Sequence, residues 1–262
     1  MAYVVVSIVA LVASGLTLFS GFGLGTVLLP AFLLFFPVPI AVAATAVVHL
    51  ASNLSKVGLI GRHTDLGVLI LFAVPAAVCA VLGALLLATI ASWQALTTWH
   101  WHGHEYTITA TKVVVAGVML GFGVSELMPG FGKFQVSRKL LPVGGALAGF
   151  FGGLSGHQGG LRTAFLVRSG LEKTAFIATA AAAAAVVDLC RLAVYGLTFF
   201  AKDFRTLYAS GEWTLIIAGC AAAFVGAFIG TRMMKKVTFG AVRVLLAIFL
   251  IGTALALGSG LI

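Results

Sequence analysis

The sequence predicts an all-α polytopic membrane protein of two homologous repeats. Each repeat is a Gly-broken hairpin plus three transmembrane helices, and the second is inverted relative to the first. Three observations predict this. First, mean hydropathy is +1.15, and apolar runs of about twenty residues recur from end to end, a composition that needs hydrocarbon as its solvent. Second, two of the apolar segments are interrupted by clusters of glycine. Third, the basic residues between segments fall unevenly once those two segments are folded back on themselves.

The elements follow in order. The first repeat, 1–130, holds a broken segment at 3–36 and helices at 38–61, 66–90 and 107–124. The second, 131–262, holds a broken segment at 140–167 and helices at 174–200, 213–231 and 239–258. The opening stretch MAYVVVSIVALVASG lacks the basic leader region of a cleaved signal peptide, so it is expected to stay in the fold. Segment 3–36 is too long for one perpendicular helix and too short for two complete ones, and Gly21, Gly23 and Gly25 interrupt it. Segment 140–167 has the same character, broken at Gly152, Gly153, Gly156, Gly159 and Gly160.

The two sets resemble each other residue by residue. Ser20-Gly21 matches Ser155-Gly156, and Asn53 and Lys56 match Asp188 and Arg191, all at an offset of 135. Charge then arbitrates topology. With each opener as one broken crossing the repeats are parallel, and flanking Lys and Arg divide six against seven. With each opener as a hairpin the second repeat is inverted. Arg62, Lys133, Arg138, Lys139, Arg168, Lys173, Arg232, Lys235, Lys236 and Arg243 then face Lys112, Lys202 and Arg205, ten against three. The positive-inside rule makes the richer side cytoplasmic and places both termini outside, periplasmic in a bacterium.

SGFGLGTVLLPAFLLFFPVPIAVAATAVVHLASNLSKVG, residues 20–58, resembles the opening of the TauE/SafE sulfite exporter family, which includes the 4-toluene sulfonate uptake permease type of membrane transporter. In that family each repeat begins with a glycine-rich broken segment, a proline-bounded turn and a helix starting near Ala-x-Ala-Thr. SGHQGGLRTAFLVRSGLEKTAFIATAAAAAAVVDLCRLAVYG, residues 155–196, is similar to its second repeat. The chain departs from the commoner pattern in carrying His157-Gln158 before Gly159-Gly160, and Arg162 within the broken segment. The resemblance implies a transporter of small sulfur-containing anions, sulfite or organosulfonates, in the bacterial inner membrane.

The residues themselves point the same way. A helix break exposes backbone polar groups that lipid cannot satisfy, so it persists only against protein or a water-filled cavity. Two breaks in corresponding halves point to a midplane site, where glycine admits a ligand to the backbone and a half-helix N-terminus presents N–H groups to an anion. Three basic residues lie within apolar segments, Lys56, Arg162 and Arg191, against one comparably deep acid, Asp188. Each costs on the order of 2.5 to 3.5 kcal/mol at a helix centre unless partnered. Asp188 and Arg191, three apart, share a helical face and can pair. An anionic substrate would then be the counter-charge for Arg162 and Lys56. The candidate substrate-binding set is therefore Arg162, His157, Gln158, Gly159, Ser155, Gly156, Gly21, Gly23, Asn53, Lys56, Arg191 and Asp188.

Alternatives stay open at several of these positions. Asp188 with Arg191 is equally a structural ion pair, and Lys56, close to Gly61, is equally a snorkelling residue. His157 is a group for proton coupling or a hydrogen-bonded structural histidine. His49, Thr45, Asn53 and Thr179 are substrate contacts or interhelical hydrogen bonds. Residues 98–107, TWHWHGHEYT, carry His100, His102, His104 and Glu105. They could hold a metal ion, or form an interfacial loop with Trp93, Trp99, Trp101 and Tyr106 at the headgroups. A metal-ion transporter or anion channel using this external loop is thus the rival reading, although metal transport predicts more deep carboxylates than Asp188 alone. An enzyme is not expected, because no GxSxG, HExxH or paired-carboxylate pattern is present. Cys79, Cys190 and Cys220 lie singly in apolar segments and read as small buried residues. No cofactor is expected. The expected partners are the anion, the lipid bilayer, a coupling H+ or Na+, and a second copy in a homodimer. The net charge of +9 reports orientation in the membrane and calls for no nucleic acid.

Overall fold

The computed structural model describes residues 1–20, 24–128, 138–167, 169–200, 208, 211, 213–232 and 239–262. Gly21 and Gly23 of the candidate set, and Lys133, Arg168, Lys202, Arg205, Lys235 and Lys236 of the charge argument, lie outside them. The helices are α1 (Ala2–Ser20), α2 (Leu24–Leu33), α3 (Val38–Ile60), α4 (Leu66–Ala91), α5 (Ala110–Leu127), α6 (Leu141–Ser155), α7 (Gly159–Leu166), α8 (Lys173–Tyr195), α9 (Trp213–Arg232) and α10 (Phe239–Gly258). Five of them, α3, α4, α5, α8 and α9, are long and apolar enough to cross a membrane. The chain is an all-α membrane protein apart from one small hairpin.

The surface confirms the solvent. Along α4 the residues Ile70, Val74, Val78, Leu82 and Leu86 are all exposed, a four-residue spacing that lays one apolar stripe on the outside. Ser52, Asn53, Lys56, Arg162, Asp188 and Arg191 are meanwhile buried. Exposed aliphatic side chains around a charged interior are stable only in lipid.

Local chemistry sets the helix ends. Pro37 precedes α3 and Pro39 lies in its first turn, where a missing N–H costs nothing. Asp65 caps α4 by accepting from the Val68 N–H at 2.8 Å. The segment expected at 107–124 starts later than predicted. Thr107 and Ile108 are paired in a strand, and Thr109 caps α5 by accepting from the Lys112 N–H at 3.2 Å. The strands, β1 (Thr97–Trp101) and β2 (His104–Ile108), form an antiparallel hairpin turning through His102 and Gly103, both at positive φ.

α4 crosses α6, α1 crosses α9, α3 packs on α8, α5 on α10, and α2 meets α7. Glycine makes two of these crossings close. A Cβ on Gly145, Gly149 or Gly153 of α6 would lie 2.1, 2.0 and 2.1 Å from the carbonyls of Phe72, Ala76 and Ala80 on α4. A Cβ on Gly226 of α9 would lie 2.1 Å from the Leu11 carbonyl on α1. Lipid supplies no hydrophobic drive for helix association, so close backbone contact of this kind is a main source of attraction.

Candidate functional site

The site is built where α6 stops. α6 ends on Gly156, whose φ of 82° is unstrained only for glycine, while its N–H still donates to the Gly152 carbonyl at 2.9 Å. The chain bends through His157 and Gln158 and restarts as α7 at Gly159. This bend meets the start of α2 directly. A Cβ on Gly25, in the first turn of α2, would sit 3.0 Å from the Gly156 carbonyl, 3.7 Å from His49 Cδ2 and 4.0 Å from Thr45 Cγ2.

Asp188, midway along α8, is the hub beside that contact. Its Oδ1 accepts from Arg191 Nε at 3.0 Å, Arg191 Nη2 at 2.7 Å and Gln158 Nε2 at 3.0 Å. Its Oδ2 lies 2.6 Å from His49 Nδ1 and 3.5 Å from Asn53 Nδ2. The pair expected of Asp188 and Arg191 is therefore present, and it is only part of a larger network. Arg191 Nη1 also donates to the Gly152 carbonyl at 3.2 Å, so all three guanidinium nitrogens are engaged. Tyr195, one turn further along α8, donates to the Gly153 carbonyl. Arg191 and Tyr195 together tie α8 to the end of α6, where the break begins.

The remaining cations are placed differently. Arg162 Nη1 donates to Gln158 Oε1 at 3.3 Å, so Gln158 links Arg162 to Asp188. Lys56 is 3% exposed, which overturns the snorkelling alternative: its chain runs inward, within electrostatic reach of Arg162 and Asp188. It makes no hydrogen bond or ion pair with a described residue. Lys56, Arg162 and Arg191 against Asp188 leave the buried cluster at a net charge of +2.

Ser155 Oγ donates to the Phe151 carbonyl and sits 3.1 Å from His157 Nδ1, which is also 3.1 Å from the Ser155 carbonyl. The His157 ring stacks on Phe122, and its Nε2 has no partner among the described residues. Thr179 accepts from the Asp65 N–H at 3.0 Å and is an interhelical tie. Thr45 Oγ1 is buried with no partner among the described residues.

His49 stands outside the candidate set yet touches its centre. The signal in the sequence is its spacing of four from Asn53, whose Nδ2 donates to the His49 carbonyl at 2.9 Å and so shares its helical face. The hairpin does not gather its histidines. In the register, His100 faces Glu105, while His104 lies opposite Trp101 on the other face. No group of three metal-ligating side chains is present among the described residues.

The family model described as Sulfite exporter TauE/SafE matches residues 6–257, nearly the whole chain. The chain belongs to the TauE/SafE family. It is thus a multi-pass membrane protein of a transporter family. Among curated proteins, none matches the chain.

Proposed function

We propose that this TauE/SafE protein carries small sulfur oxoanions, sulfite or organosulfonates, across the bacterial inner membrane at the buried cluster between the two helix breaks. One observation carries the reading: Gly25 and Gly156 abut beside a buried group of net charge +2. The first turn of α2 and the bend into α7 present backbone amides, Arg162 offers a planar fork of donors, and Lys56 adds a movable charge. Asp188 is saturated by its own donors, so its part is to hold Arg191, Gln158 and His49 in place. An oxoanion with several acceptor oxygens matches this donor set. The anion's charge offsets the cost of burying the cations.

The two-repeat, inverted arrangement is part of the same proposal. Exchanging α1, α2 and α3 with α6, α7 and α8, and α4 and α5 with α9 and α10, turns the α4–α6 crossing into the α9–α1 crossing and returns α3–α8 and α5–α10 to themselves. Asn53 and Asp188, matched at the offset of 135, approach within 3.5 Å, as equivalent residues near a twofold axis do. The uneven basic residues place the termini on the periplasmic side.

The test is flux into proteoliposomes. Sulfite and methanesulfonate should enter saturably and compete with one another, while zinc should neither enter nor compete. No anion flux above protein-free liposomes refutes the reading; zinc flux in its place moves the function to the hairpin.

A further inference from the structure

We propose that His49 is a proton-binding site coupled to the anion, so that one proton from bulk water enters the site with each substrate and leaves with it on the other side. The inference rests on the function proposed above. The imidazole lies between two structures that matter to transport. On one edge, Nδ1 is 2.6 Å from Asp188 Oδ2. That carboxylate already takes three charge-bearing or amide donors on Oδ1 and is an acceptor, so Nδ1 carries the ring proton and Nε2 is the ring's acceptor nitrogen, with Asn53 Nδ2 3.5 Å away. On the opposite edge, Cδ2, the carbon bonded to Nε2, is the His49 atom nearest to the space a Cβ on Gly25 would fill, at 3.7 Å. A proton added at Nε2 therefore sits on the side of the ring that faces the first turn of α2.

Such a proton has its charge matched in both directions. Behind the ring is Asp188, which stabilises an imidazolium; in front is the proposed place of the anion. Asn53 Nδ2 is 3.5 Å from Nε2 but is held by the His49 carbonyl at 2.9 Å, so the acceptor for an Nε2–H is the anion. The other charged groups acting on His49 are Arg191 on α8 and Arg162 on α7, both cations, with Asp188 the one anion among the described residues of the cluster. Without the substrate, a further positive charge is opposed by two. With it, the opposition is relieved, so proton and anion each favour the binding of the other by the same factor.

His157, the other buried histidine of the site, is arranged otherwise. Its Nδ1 is held by the Ser155 carbonyl and hydroxyl, its ring is stacked on Phe122, and no described carboxylate stands against it. Protonation there would create a cation with no matched anion, so the coupling belongs to His49.

The experiment measures the Kd of methanesulfonate for the purified protein from about pH 5 to about pH 8, the range in which histidine changes charge. This probe stays fully ionised throughout, so any pH dependence belongs to the protein. In the wild type the Kd should rise with pH, approaching about tenfold per unit above the titration of His49, the slope for one linked proton. His49→Gln should still bind methanesulfonate but with a flat profile, and in proteoliposomes its uptake should no longer respond to an imposed pH gradient. His157→Gln should keep the wild-type slope whatever its absolute affinity. A flat wild-type profile overturns the coupling and leaves the anion site standing, as does a His49→Gln variant that keeps the slope. Absence of sulfite and methanesulfonate binding at every pH overturns the anion site and the coupling with it.

Discussion

Replacing Gly149 by alanine adds one methyl group at the α4–α6 crossing and tests the packing on which the second break rests. The new Cβ would lie 2.0 Å from the Ala76 carbonyl oxygen, 2.6 Å from Ala76 Cα and 2.7 Å from the Ala76 carbonyl carbon. Real Cβ contacts stop near 3.0 Å, so the helices must part by about 1 Å. All three obstructing atoms are backbone, and no rotamer change relieves them. Overpacking costs about 1 to 3 kcal/mol, and a clash that only helix displacement can relieve belongs at the upper end. At about 2 to 4 °C per kcal/mol for a chain near this size, Gly149→Ala should lower the apparent Tm by roughly 6 to 12 °C. The assay is a thermal melt of purified protein in one detergent at one scan rate, beside Gly121→Ala on α5. A Cβ at Gly121 has nothing within 4 Å, and that variant should show no fall. A Gly149→Ala protein melting with the wild type, or a Gly121→Ala protein falling as far, would refute the close crossing and the placement of α6 that follows from it.

Asp188→Asn leaves Arg191 buried without its counter-charge and should cost about 3 to 5 kcal/mol, part of it restored in the double variant with Arg191→Gln; melts of the single and double variants, run together, check this. Arg162→Lys should keep weakened methanesulfonate binding and Arg162→Ala should lose it; normal affinity in Arg162→Ala would place the site elsewhere. Single cysteines at 135 and at 237 should react with a membrane-impermeant maleimide from the cytoplasmic side and one at Gly103 from the outside, whereas opposite-side labelling of the first two would favour parallel repeats.

Much of this molecule was legible before folding. Composition chooses the solvent, so a chain this apolar could be placed in a bilayer from its residues alone. The break was legible within 152–160 because glycines and polar side chains cluster there in an apolar run, although it falls at 156–158: Gly152 and Gly153 are helical, and Gly153 serves the α4 crossing instead. The Asp188–Arg191 pair was visible because a spacing of three on a helix places two side chains on one face whatever surrounds it. Each of these is a property of the residue or of its near neighbours in the chain.

What the tertiary structure decided is which distant residues meet. Lys56 lies near a helix end, and only the packing of its neighbours shows that it turns inward. Arg191 and Arg162 look alike in the sequence. Docking α8 against the end of α6 gives one of them the Gly152 carbonyl and both Asp188 contacts, and the other a link through Gln158. The hairpin's histidines alternate in the chain, and the strand register sends His100 and His104 to opposite faces. His49 and Asp188 are 139 residues apart and join because α3 lies against α8. Helix crossings are set by many small contacts between surfaces, above all by where glycine lets two backbones touch. That information is spread over both partners, so periodicity within one segment cannot contain it.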